Sequence, residues 1–215
     1  VDAVFFDMDG LLVDTEKLWF QVESDVMRRL GAAWSDADQE NLVGGSMPAT
    51  VAYMLKASGS DRSPAEIEAW MIDGVLDRLA EGFETMPGAL ELLGEVRASG
   101  VRTGLVTSSA RVMADAVLGG IGRRDHFDII VTGDDVRNYK PDPEPYLLAA
   151  RLTGVEPANC VALEDSPNGV AAATAAGCAV VAVPSVLPIA PAPRRLVAES
   201  LKQVDVAALR ALSLS

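Results

Sequence analysis

Four short segments concentrate the side chains that could do chemistry. The first is Asp7-Met8-Asp9-Gly10, directly after the apolar run 4–6. Acids at i and i+2 of an extended segment point the same way, so Asp7 and Asp9 repel and predict something cationic to hold them. Gly10 lets the chain turn with positive φ. The second is Glu164-Asp165, which ends the apolar run 161–163 and leads through Ser166-Pro167-Asn168-Gly169 into a stretch of small residues. If those two runs are neighbouring strands, three or four carboxylates meet at one sheet edge and desolvate badly without a divalent ion. Oxygen ligands without a nearby His or Cys favour Mg²⁺ over zinc. The third segment, Thr107-Ser108-Ser109, closes the run 101–106 and offers hydroxyls and backbone N–H groups suited to a phosphoryl oxygen. The fourth places Lys140 in Asn138-Tyr139-Lys140-Pro141-Asp142-Pro143, a rigid loop that fixes where its ammonium points. Each segment alone also fits a plainer role: an Asx turn, a helix cap, an exposed lysine beside prolines. Their combination carries the weight.

The elements that must position these residues follow from hydrophobic patterning. Apolar runs at 4–6, 101–106, 127–131, 161–163 and 179–183 alternate with helical stretches near 88–98, 110–119, 143–153 and 168–176. That alternation predicts an α/β fold, a doubly wound parallel sheet whose continuous apolar strands are buried by helices on both faces. Ligands of such sheets bind at the carboxyl ends of the strands, where Asp7 and Glu164 fall. Residues 15–84 are too long for one crossover and are patterned throughout as helix, which predicts an inserted all-helical domain. Leu18, Val22, Val26 and Leu30 recur every fourth residue before Gly31, and Ser63, Pro64 and Glu66 form a capping-box pattern ahead of Ile67, Trp70, Met71, Val75 and Leu79. Shorter helices are expected near 36–43 and 47–57. The expected division is therefore a core of 1–14 and 85–215 and an insertion of 15–84, hinged at Asp14-Thr15 and Met86-Pro87-Gly88. The proline-rich stretch 184–193 predicts an extended loop, 196–201 a last strand and 205–212 a terminal helix.

Composition narrows the function classes. Thirty-one acidic residues against 18 basic ones give a net charge of -13, which repels phosphate backbones and anionic lipid, so neither nucleic acid nor membrane is an expected partner. Two cysteines, Cys160 and Cys178, are too few to staple a 215-residue chain and read as reduced core thiols. With no apolar run of membrane-spanning length and no basic leader, a cytoplasmic location is expected. A monomer or weak homodimer is the expected state. His126 stands alone, so histidine-based zinc or Ser-His chemistry is excluded and the residue reads as structural.

In order and spacing, the four segments resemble the signature of the haloacid dehalogenase superfamily of phosphohydrolases, and the insertion resembles its small helical cap over a Rossmann-like core. The resemblance implies that Asp7 is the nucleophile forming an aspartyl phosphate and Asp9 the general acid and base. It implies Mg²⁺ bound by Asp7, the backbone carbonyl of Asp9 and Asp165, with Glu164 an outer-shell or direct ligand. Thr107, Ser108 and Lys140 would hold the transferring phosphoryl oxygens. Dehalogenases of the superfamily lack the second acid, so Asp9 points to phosphate esters. Phosphonate hydrolases use a cap lysine, for which Lys56 is the candidate, but Lys56 reads as a surface residue. β-Phosphoglucomutases carry a histidine and a cap lysine where this sequence has Trp19 and Val43. The stretch from Asp14 to Trp19 is similar instead to bacterial hexitol and deoxysugar phosphate phosphatases. Glu16, Trp19 and the turn Gly44-Gly45-Ser46-Met47 are then expected to face the site when the cap closes, with Trp19 as bundle packing the plainer alternative. Arg111 could touch substrate or solvent. The expected function is a Mg²⁺-dependent phosphatase of a small phosphate monoester, a sugar or polyol phosphate, with a β-phosphoglucomutase-like phosphotransferase or a noncatalytic phosphometabolite sensor as alternatives.

Overall fold

Alternating burial on the central strand sets up three layers. In the computed structural model, which describes residues 1–214, β1 (Ala3–Phe6) is buried along its whole length. Val4 and Phe6 enter one apolar cluster, while Ala3 and Phe5 enter a second on the opposite face. The same division by period two runs through β6 (Cys160–Glu164) and β7 (Ala179–Ala182). The larger cluster takes its helical side from α5 (Ala89–Ala98), α6 (Arg111–Ile121) and α9 (Val206–Ser213). The other takes it from α7 (Glu144–Thr153) and the alanine-rich α8 (Pro167–Ala176), whose small side chains let the helix sit close to the sheet.

With β4 (Arg102–Val106), β5 (Ile129–Val131) and β8 (Arg195–Val197), the strands run in the order β5-β4-β1-β6-β7-β8, all pairs parallel. The sheet thus matches the expected doubly wound α/β class, and β1 lies between β4 and β6. Phe6 pairs with Leu105 on one side and Leu163 on the other, so the residues following all three strands emerge together.

The insertion contributes α1 (Glu16–Arg29), α2 (Asp36–Glu40), α3 (Met47–Ser58) and α4 (Pro64–Glu81). The α4 helix packs on α1, α3 and α6. Its buried stripe Ile67, Met71, Val75 and Leu79 is the one read from the sequence except that Trp70 is only half-buried, and each of these four side chains is worth roughly 2 kcal/mol of burial.

Several expectations need correction. Ser63 caps α4 by accepting from the Glu66 N–H, but the reciprocal half of the box is missing because the Glu66 carboxylate accepts from Arg62 at 2.7 Å. Beside the expected hinges the structure adds a ribbon not read from the sequence: β2 (Val13–Asp14) and β3 (Glu84–Thr85) pair antiparallel, and Met86 donates its N–H to the Leu12 carbonyl. The expected helix over 36–43 stops at Glu40, ahead of Gly44 at φ +65°. The run 127–131 yields strand only from Ile129, since the Asp128 carboxylate takes the Thr103 N–H. The last strand starts at Arg195 and ends at Val197, with Leu201–Gln203 forming a 3₁₀ turn. Among the described residues, no helix is long and apolar enough to cross a membrane.

Candidate active site

Strand register brings the acids together. Asp7 prolongs β1, donating its N–H to the Leu163 carbonyl at 3.0 Å, so it stands beside Glu164 and Asp165 at the end of β6. One carboxylate oxygen from each of Asp7, Glu164 and Asp165 lies within 4.8 Å of the others, and all three residues are buried. Neither acid of β6 caps α8; that role belongs to Ser166, which accepts from the Gly169 N–H. Gly169 itself is required, because a Cβ there would sit 1.8 Å from Glu164 Oε2.

Lys140 is the cation the acids demand, and it is buried rather than exposed on its loop. Its ammonium donates to Asp7 Oδ1 at 2.6 Å, Glu164 Oε1 at 2.6 Å and the Val106 carbonyl at 2.8 Å, which uses all three N–H bonds. The Tyr146 hydroxyl also donates to Glu164 Oε1. Burial works against the charged lysine, but Asp7 and Glu164 outweigh it and hold its pKa above the ordinary value. Burial raises the Asp7 carboxyl well above the usual aspartate range; Lys140 opposes this, and Glu164 and Asp165 add to it. Asp165, desolvated and facing Glu164, is pushed up to about 7 although Ser185 donates to it at 2.6 Å. Three crowded acids with one ammonium leave excess buried negative charge, and Glu164 Oε2 has no hydrogen-bond partner. An all-oxygen donor set of this charge fits a hard divalent cation such as Mg²⁺.

Asp9 is held differently from the expectation of one cation between two acids. The chain turns at Gly10, φ +75°, where a Cβ would lie 2.2 Å from Asp165 Oδ2, and the Asp9 side chain leaves the lysine cluster. Its Oδ1 accepts from Thr15 Oγ1 at 2.7 Å and from Trp19 Nε1 at 2.9 Å, and its Oδ2 accepts from Ser109 Oγ at 2.7 Å. Trp19 is therefore more than bundle packing. Thr107 is buried with its Oγ1 accepting the Ser109 N–H at 3.0 Å, and Ser108 Oγ is buried without a partner. None of the three hydroxyls caps α6, whose N-cap is Ala110.

Glu16, Trp19 and Ser46, expected in the cap, line one cleft together with Asp7, Asp9 and Lys140. Ser46 also caps α3. Burial, then the nearby Asp9 and Asp14, push Glu16 up to about 7. The turn over the cleft approaches α8: a Cβ on Gly44 would be 2.3 Å from Ser166 Oγ, and Asn168 Nδ2 donates to the Val43 carbonyl at 3.4 Å. Arg111 is engaged by Asp135 and the Ile130 carbonyl, outside the cleft lining. Lys56 is exposed, and the His126 ring pairs with Asp125. Sequence reasoning read Ser109 with the hydroxyls for a phosphoryl oxygen rather than as a partner of Asp9, and left Thr15, Tyr146, Ser185 and Glu23 without site roles. The hydroxyl run flags Ser109, but the others carry no local signal.

Residues 4–183 match the family described as haloacid dehalogenase-like hydrolase. Hexitol phosphatase B of Escherichia coli (strain K12) is 32% identical over 188 residues, spanning 85% of this chain and 83% of that protein. The phosphorylated carbohydrates phosphatase of Thermotoga maritima is 32% identical over 177 residues, 82% of each. A crystal structure of mutant CbbY from Rhodobacter sphaeroides, in complex with xylulose-(1,5)bisphosphate, superimposes with a TM-score of 0.89 at 28% identity over 97% of this chain and 99% of that one.

Proposed function

The chain belongs to the haloacid dehalogenase-like hydrolase family and is a phosphoric monoester hydrolase, and from that premise we propose that it is a Mg²⁺-dependent phosphatase of small sugar or polyol phosphates working through an aspartyl phosphate. The observation that carries this reading is the buried set Asp7, Lys140, Glu164 and Asp165 beside a separately held Asp9. Residues 15–84 serve as a cap over a core of 1–14 and 85–215.

An Asp7 carboxylate oxygen attacks phosphorus in line, the ester P–O bond breaks, and the leaving alkoxide takes a proton from Asp9. Asp9 then removes a proton from water as that water attacks the phosphorus of the aspartyl phosphate. Inorganic phosphate leaves and Asp7 is regenerated. Asp9 is suited to both states, because the Thr15 and Ser109 hydroxyls can donate to a carboxylate or turn and accept from a carboxylic acid. The Lys140 ammonium holds Asp7 and faces the position of the phosphoryl oxygens, where the partnerless Ser108 hydroxyl and Thr107 add donors. Asp7, Asp165 and the Asp9 carbonyl would hold Mg²⁺, with Glu164, bonded to Lys140, beside them. The ion would neutralise the crowded acids and the phosphoryl charge.

Phosphate release from a panel of monoesters with Mg²⁺ tests the reading. Asp7→Asn should lower it by about 10³-fold or more, and acid-quenched wild type should carry one phosphoryl group on the peptide containing Asp7. Undiminished turnover in Asp7→Asn would exclude the covalent route.

A further inference from the structure

One buried acid in the cleft has no part in the chemistry above. Glu23 lies on the same face of α1 as Glu16 and Trp19, at i+7 and i+4 from them, and lines the same cleft. It is 4% exposed, and its Oε2 finds no hydrogen-bond partner. Among the described residues, no ammonium or guanidinium acts on it: its neighbours are Gln39, Trp34 and Glu16. Burial dominates its environment, Gln39 and Trp34 partly offset that burial by hydrogen bonding, and Glu16 adds repulsion; together they push Glu23 up to about 8. Near neutral pH it is a carboxylic acid with one donor and one acceptor. A buried polar atom left unmatched costs free energy, and this one borders a cavity a ligand can enter.

Position says what could match it. Trp19 Nε1 touches Asp9 at 2.9 Å, which places Trp19 at the reacting end of the cleft. Four residues on, Glu23 is about 6 Å further along the helix axis. That is roughly the reach of the distal hydroxyls of a five- or six-carbon chain bound by its phosphate. Gln39, which hydrogen-bonds Glu23, lines the cleft too, so that end offers an amide beside the acid, and the buried Thr50 adds a hydroxyl to the same cleft. Among the described residues that line the cleft, Lys140 is the only cation, and its bonds are committed at the phosphoryl end.

We propose that Glu23, with Gln39 beside it, reads a distal hydroxyl of the leaving group, so that the cleft selects uncharged polyhydroxy monophosphates and rejects esters bearing a second phosphate or a carboxylate. The proposal rests on the phosphatase reading and specifies its substrate class. The exclusion follows from the lining: among the described residues a second anion would find no cation there to offset its desolvation.

The test compares kcat/KM for a hexitol 6-phosphate, p-nitrophenyl phosphate, glucosamine 6-phosphate and a hexose 1,6-bisphosphate. Loss of a hydrogen bond at a buried site predicts that the hexitol-to-nitrophenyl ratio falls about tenfold or more in Glu23→Leu and stays within about threefold of wild type in Glu23→Gln, which keeps a donor and an acceptor. Equal losses on both esters, or no loss, would show a structural role and overturn the proposal while leaving the phosphatase reading intact. Wild type should also prefer the monophosphate to the bisphosphate by at least about tenfold, a measurement that stands even if Glu23→Leu fails to fold. Comparable rates overturn the proposal, as does a preference for the amino sugar, which would mean an ionised Glu23 pairing with a cation. If wild type hydrolyses none of the esters, both readings fall.

Discussion

Lys140 joins the stability of the site to its chemistry. Among the described residues its ammonium is the only positive charge within hydrogen-bond reach of Asp7 and Glu164, both buried. Removing one partner of a buried ion pair leaves the other uncompensated, which costs more than the pair contributes. Lys140→Met in metal-free protein should therefore lose about 3 kcal/mol in urea denaturation, and Glu164→Gln in the same chain should recover part of it. A loss below about 1 kcal/mol would show that the acids simply take up protons instead. The variant should also release phosphate far more slowly than its residual folded fraction explains.

The α-helical insertion comes within close backbone reach of the core at one turn. Gly44 has φ +65° and faces Ser166, the residue that caps α8 directly behind Asp165. A methyl group there collides with the Ser166 Oγ and Cβ, at 2.3 and 2.6 Å, and is strained by the backbone as well. Gly44→Ala should thus hold the insertion away from α8 and pull Trp19 and Thr15 off Asp9. The expected result is a kcat/KM lower by about tenfold or more with a melting temperature changed by only a few degrees. Unchanged kinetics would mean that the turn does not have to seat on α8 during turnover.

Across the whole molecule, acids of two kinds define an optimum pH. Asp128 and Asp135 are held below the ordinary aspartate range: burial opposes the shift, but hydrogen bonds from Thr103 and Thr132 and the guanidinium groups of Arg97 and Arg111 outweigh it. Their stabilisation is present above the unfolded value near 3.8 and is lost as pH falls through the lower folded values. Glu16, Asp165 and Glu23 are raised by burial to about 7, about 7 and about 8. Between their unfolded values and these figures the folded chain binds more protons, so their contribution is present at low pH and is lost as pH rises through 7 to 8. The net charge of -13 adds self-repulsion in the same direction. The melting temperature of metal-free protein should peak near pH 5 and fall toward pH 8, and Mg²⁺ should restore part of the fall. A melting temperature that rises from pH 5 to 8 without metal would contradict the buried-acid description.

The sequence by itself determined the sheet, the inserted helices and the four chemical segments, because each depends on local information. Apolar runs must be buried, Gly10 must turn, and Ser63-Pro64 must start a helix, whatever lies around them. The family followed from Asp7, Asp9, Thr107, Lys140, Glu164 and Asp165 in order. Partnership was another matter. That Lys140 is buried between Asp7 and Glu164, that Asp9 is held by Ser109, Thr15 and Trp19, and that Tyr146 and Ser185 support Glu164 and Asp165 arise from contacts between residues 6 to 133 positions apart. Glu23 shows the same limit. On a helical wheel it sits at an apolar position, and only the packing of α1 over the cleft distinguishes a partnerless buried acid from a solvated one, because desolvation is a property of the assembled surroundings and not of the residue.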